Sequence, residues 1–175
     1  MRIFISGGCK NGKSTFAQHM AKAMGTPLYY IATMIPHDEE DNARIQRHLK
    51  EREGWGFETI ECGREIHHCL EGVDTSGSFL MDSVTALLSN EMFPPEGYVP
   101  DCADRVAEQL LYLADNAENI VFVSDFIYSD GPYDEWSENY RRALALADKT
   151  LAKRCDAVVE VCSRNIIVHK GVLPL

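Results

Sequence analysis

Near the start of the chain, Gly7-Gly8-Cys9-Lys10-Asn11-Gly12-Lys13-Ser14 follows the spacing G-x-x-x-x-G-K-S. Glycines at both ends let the backbone turn so that successive N–H groups converge on anionic oxygens. Lys13 adds an ammonium that reaches the terminal phosphates of a nucleoside triphosphate, and the Ser14 hydroxyl is a ligand for Mg²⁺. A helix opening at Lys13 brings the positive end of its dipole. The chemistry implied is transfer of a phosphorus-containing group, with nucleotide contacts from Gly7, Gly8, Cys9, Lys10, Asn11, Gly12, Lys13, Ser14 and Thr15.

Magnesium at such a loop wants a carboxylate at the end of a neighbouring apolar strand. Ser78-Phe79-Leu80-Met81 ends in Asp82, and Ile120–Ser124 ends in Asp125. Each acid is equally readable as a helix cap, and the pattern does not choose between them. A second cluster lies on a charged helix over Asp38–Arg52, where Arg44, His48 and Arg52 recur every fourth residue and so share one face. Two flanking guanidiniums disfavour imidazolium, and a neutral imidazole is the form that attacks phosphorus. The plainer reading is a solvated face of alternating charge. His19, His37, His67, His68 and His169 have no metal-ligand spacing and read as surface, loop or structural residues. None of the six cysteines falls in a Cys-x-x-Cys pair, so free thiols are expected, with Cys9 inside the loop.

The elements that must hold these residues follow from periodicity. Apolar β-branched runs predict strands at Arg2–Ser6, Leu28–Ala32, Glu58–Glu61, Ser78–Asp82 and Ile120–Ser124. Helical spacing predicts helices over Lys13–Met24, Asp38–Arg52, Val84–Glu91, Asp104–Asn116 and Asp134–Lys153, with Phe93–Asp101 a loop and a break at Gly131-Pro132. Ala157–Cys162 and Asn165–His169, joined by Ser163-Arg164, read as a terminal hairpin. The expected class is an α/β P-loop NTPase, RecA-like: a mostly parallel sheet flanked by helices, with an antiparallel C-terminal edge, in one domain of 175 residues. A formal net charge of −10 argues against a nucleic-acid or membrane surface. With no signal peptide and no long apolar run, a cytoplasmic location is expected.

Taken together, these blocks resemble the bifunctional adenosylcobinamide kinase / adenosylcobinamide-phosphate guanylyltransferases of cobalamin assembly. The resemblance covers the first half of the chain. Besides the loop from Ser6, it rests on Tyr30-Ile31-Ala32-Thr33, Ala43-Arg44-Ile45-Gln46-Arg47-His48, Thr59-Ile60-Glu61, Phe79-Leu80-Met81-Asp82-Ser83-Val84-Thr85 and Asn90. It implies catalysis by Lys13 and by His48, the residue that becomes guanylylated. It also implies guanine-nucleotide contacts from Ala32, Thr33, Met34, Leu49, Lys50, Glu51, Arg52, Glu61 and Asp82. Asp82 replaces a usual glutamate and would join Ser14 at the metal. ATP and GTP are the implied nucleotide substrates, adenosylcobinamide the acceptor, and a homo-oligomer such as a trimer the assembly. The second half departs from the family: Ser124-Asp125-Phe126-Ile127-Tyr128-Ser129-Asp130 stands where Asn-Glu-Val-Gly is usual, in a region bearing on the corrinoid or on subunit contacts. The alternatives are a small-molecule kinase of the same loop class without a histidine intermediate, and a nucleotide-dependent switch.

Overall fold

The computed structural model describes residues 1–128 and 133–174; Ser129, Asp130, Gly131, Pro132, Leu175 and the side chain of Glu51 lie outside the described residues. Seven strands form one sheet: β1 (Arg2–Gly7), β2 (Leu28–Ala32), β3 (Phe57–Glu61), β4 (Ser78–Asp82), β5 (Asn119–Asp125), β6 (Ala157–Cys162) and β7 (Asn165–Lys170). Their order is β3-β2-β4-β5-β1-β6-β7, all pairs parallel except β6 with β7. The helices are α1 (Lys13–Ala23), α2 (Glu39–Glu51), α3 (Val84–Met92), α4 (Ala103–Asn116) and α5 (Glu135–Arg154).

Parallel strands covered on both faces must be apolar on both, and the central strands are. Ile3, Ile5, Leu80, Val121 and Val123 face α1, packing on Ala17, Met20 and Ala21. Phe4, Phe79, Met81, Ile120 and Phe122 face the opposite way, into a larger core with Leu87, Leu110 and Leu144 of α3, α4 and α5. α2 is different: its described residues are exposed or only half-buried. Among the described residues no helix is long and apolar enough to cross a membrane.

The predicted strands and helices appear within a residue or two of their expected limits, and the sheet has the expected antiparallel edge. Ser163 and Arg164 form the hairpin turn with φ of 49° and 65°, the left-handed geometry that matches strand twist in two-residue turns. The sequence pattern did not predict the 3₁₀ turn at Ile66–Leu70, which tucks Ile66, Cys69 and Leu70 into the core. Phe79 is fully buried and stacks on Tyr29 at 4.8 Å between centroids. Phe79→Ala is expected to cost about 3–5 kcal/mol, seen as a lowered urea midpoint with an unchanged slope.

Candidate active site

Strand β1 delivers the loop, and close packing dictates its first residue. A Cβ on Gly7 would lie 2.3 Å from the carbonyl oxygen of Val161 on β6, so only glycine lets the two strands run this close. Asn11 Nδ2 donates to that same carbonyl at 3.1 Å and ties the loop to β6. Gly12, at φ 88°, precedes α1 in the left-handed region and offers no side-chain cap. The first turns of α2, α3 and α5 are closed by the side chains of Asp38, Ser83 and Asp134. The first turn of α1, beginning Lys13-Ser14-Thr15, has neither a cap nor an acid, which leaves its amides for an anion.

Lys13 is almost completely buried, and its Nζ donates to the carbonyl of Gly8 at 2.7 Å and to Asp125 Oδ1 at 2.8 Å. The sheet explains the partner. β5 lies directly beside β1, with Asp125 in register with Gly7. Thr85 Oγ1 accepts the Asp125 N–H at 2.9 Å, and the Thr85 carbonyl accepts the Tyr140 hydroxyl at 2.8 Å. Asp82 ends β4, one strand further from the loop, and accepts the Tyr30 hydroxyl at 3.0 Å. Of the two acids the sequence could not rank, Asp125 is the one at the lysine.

Both acids open onto one cavity of about 620 Å³, which Ala32, Met34, Arg44, His48 and Glu61 also line. His48 is half-buried in its wall. Arg52, only 8% exposed, lies with its guanidinium 3.5 Å over the ring of Tyr30. Burial, and then the neighbouring Asp82 charge, push the Tyr30 hydroxyl far above its ordinary pKa. The chain Arg52–Tyr30–Asp82 thereby fastens the end of α2 to β2 and β4, one turn beyond His48. Among the residues expected at the nucleotide, Thr33, Leu49 and Lys50 do not line this cavity, nor does the phosphate loop itself. Thr33 is fully buried, its hydroxyl donating to the Ser83 carbonyl at 2.9 Å and accepting the Ser83 N–H at 2.6 Å. Leu49 and Lys50 line a separate surface depression with Gln46 and Phe57. Thr85, to which the pattern gave no role, and Tyr140, which it did not single out, line the cavity beside Asp125.

A family model described as cobinamide kinase / cobinamide phosphate guanyltransferase matches residues 3–166. The chain belongs to this family. It is 29% identical over 161 residues to the bifunctional adenosylcobalamin biosynthesis protein CobP of Pseudomonas aeruginosa, an alignment spanning 90% of this chain and 91% of that one. Over 94 residues it is 30% identical to CobU of Salmonella typhimurium, which bears the same bifunctional description, with 53% and 51% of the two chains aligned. A solved structure from Pyrococcus horikoshii OT3, titled as a structural study of PH0250, shares the fold at TM-score 0.51 and 8% identity, covering 98% of this chain and 86% of that one.

In this member of the cobinamide kinase / guanyltransferase family, the stretch from Asp125 to Tyr128 has a buried partner. Tyr128 Oη donates to Asp148 Oδ2 of α5 at 2.7 Å, with Ser124 and Asp125 beside that carboxyl. Burial, with the Asp125 charge adding to it, pushes the Asp148 carboxyl up to about 6, against the hydrogen bond from Tyr128. For a metal, the hydroxyl of Ser14 and the carboxylates of Asp82 and Asp125 offer only hard oxygen donors. Mg²⁺ suits such a set, taking one or two carboxylates and completing its shell with substrate phosphates.

The Asp148 shift sets a pH dependence with a definite sign. The folded-state pKa lies above the ordinary value of 3.8. The protonated carboxyl is therefore favoured in the fold, a stabilisation full below about pH 4 and lost as pH rises through about 6. Asp148→Asn removes this penalty, so its stability relative to wild type should rise by up to about 3 kcal/mol between pH 4 and pH 8, measured by urea unfolding at both pH values.

Proposed function

We propose that the chain is a cytoplasmic enzyme with two linked reactions at one site. It phosphorylates the alcohol arm of adenosylcobinamide with ATP or GTP, then transfers GMP from GTP to that phosphate through a guanylyl-histidine at His48, yielding adenosylcobinamide-GDP. The observation that carries the reading is that one cavity has His48 on one wall and, on another, Asp125 paired to Lys13.

In the first reaction the loop amides hold the phosphates, and the Lys13 ammonium exchanges Asp125 and the Gly8 carbonyl for β- and γ-phosphate oxygens. The acceptor hydroxyl oxygen bonds to the γ-phosphorus and gives up its proton to solvent, while the bond to the β–γ bridging oxygen breaks and the nucleoside diphosphate leaves. In the second, a ring nitrogen of His48 bonds to the α-phosphorus of GTP and pyrophosphate leaves. A phosphate oxygen of the phosphorylated corrinoid then bonds to the same phosphorus, and the N–P bond breaks. Arg44 lines the same cavity and would meet phosphate oxygens. Ala32, Met34, Glu61 and Asp82 are the further nucleotide contacts the cavity supports. Ser14, Asp82 and Asp125 would hold Mg²⁺, which when bound neutralises charge on the transferring phosphoryl group.

A homo-oligomer belongs to this reading. The edge strand β7 exposes Ile166, Ile167 and Val168, apolar surface of the kind a second copy covers.

Incubation with GTP labelled at the α-phosphate should leave acid-labile, base-stable label on the wild-type protein and none on His48→Ala. Lys13→Ala should abolish both phosphoryl and guanylyl transfer. Wild type that takes up no label, or equal labelling of His48→Ala, would refute the histidine intermediate. Phosphorylation of the acceptor without any α-label would leave only a kinase.

A further inference from the structure

Beside the cavity runs a row of four aromatic rings that neither reaction uses. Tyr140 lines the cavity and is anchored by its hydroxyl on the Thr85 carbonyl. Phe93 follows at 6.2 Å between centroids, then Tyr98 at 5.5 Å and 14° from parallel, then Trp136 at 5.4 Å and 32°. Asn139 holds Tyr98 in place, its Nδ2 donating to the hydroxyl at 2.7 Å. The inner end is covered and the outer end is open: Phe93 is 38% exposed and Trp136 59%. Three short elements build the row: the end of α3, the loop after it and the first turns of α5. The exposed parts of Phe93 and of Trp136, the last ring of the row, leave aromatic surface facing water beside the cavity, where a further flat ring can stack.

We propose that this row carries the flat face of the corrinoid acceptor, while the acceptor's alcohol arm enters the cavity toward Lys13 and Asp125. The proposal rests on the function given above. Its argument is one of size and continuity. A cavity of about 620 Å³ is the volume that one drug-sized ligand occupies, and a guanine nucleotide takes most of it. A corrin macrocycle must then stay outside the mouth. The row begins at Tyr140, whose hydroxyl bonds Thr85, and Thr85 in turn bonds the Asp125 backbone beside Lys13. A conjugated ring stacked on Trp136 and touching the edge of Phe93 therefore lies along a continuous wall leading to the phosphate end of the site.

The test uses the full chain. Trp136→Ala and Phe93→Ala should each raise the KM for adenosylcobinamide about tenfold and leave the KM for GTP within about twofold, while Trp136→Phe stays close to wild type. Labelling of His48 from α-labelled GTP without corrinoid should be unchanged in all three. Trp136 is one of two tryptophans, so in a Trp55→Phe background its emission should be quenched by adenosylcobinamide and not by GTP. An unchanged corrinoid KM in both alanine variants overturns the proposal. So does a lowered sedimentation coefficient without a KM change, which would make the row a contact between copies of the chain. A wild-type chain that labels from GTP yet neither phosphorylates nor binds the corrinoid overturns the functional reading itself, and the proposal with it.

Discussion

The ion pair between the Lys13 ammonium and the Asp125 carboxylate, 2.8 Å long and largely out of water, is the constraint around which the site is arranged. A lysine buried this deeply needs a partner, because an uncompensated charge there would be strongly destabilising. The sheet supplies that partner by running β5 next to β1, so that the last residue of one strand stands beside the loop that ends the other. A triphosphate satisfies the same need better, with several anionic oxygens in place of one carboxylate and one carbonyl. On the proposed function, the fold stores the lysine in a paired state where the phosphates would bind.

His48, the proposed nucleophile, is held in a different way. α2 contributes little to either core, and its hold on the sheet runs through Arg52, stacked on Tyr30, which is bonded to Asp82. His48, one turn before Arg52, thereby faces the cavity that Asp82 and Asp125 also line. The lysine opens α1, which packs on the central strands, and the imidazole lies on a helix whose described residues are exposed or half-buried. Group transfer through a covalent intermediate fits such a division, since the nucleophile must meet the α-phosphate in one reaction and leave the acceptor free access in the other.

Much of this was legible in the sequence for identifiable reasons. The phosphate loop follows a spacing set by backbone geometry, and the central strands are continuous apolar runs because both of their faces are covered. His48 could be placed on a helix face from its spacing to Arg44 and Arg52. What stayed hidden depends on strand order, which no local pattern encodes. Asp82 and Asp125 look alike as strand-ending acids, and only the neighbour relation of β5 to β1 separates them. Arg52, a nucleotide contact by the resemblance, lines the cavity with its guanidinium stacked on Tyr30, an arrangement that spacing alone does not show. Thr33 sits within a matching block but braces Ser83 from inside the fold. Tyr140, Phe93, Tyr98 and Trp136 are scattered over one helix end, a loop and another helix, so their alignment into a row is visible only in three dimensions.

The most direct measurement of the central claim is a crystal structure of the chain with Mg²⁺ and a GTP analogue that resists attack at the α-phosphate. The account predicts Lys13 Nζ shifted from Asp125 onto the β- and γ-phosphates, with a ring nitrogen of His48 about 3–3.5 Å from the α-phosphorus. Lys13 still bonded to Asp125 while the nucleotide lies elsewhere, or His48 turned out of the cavity with the nucleotide in place, would contradict it.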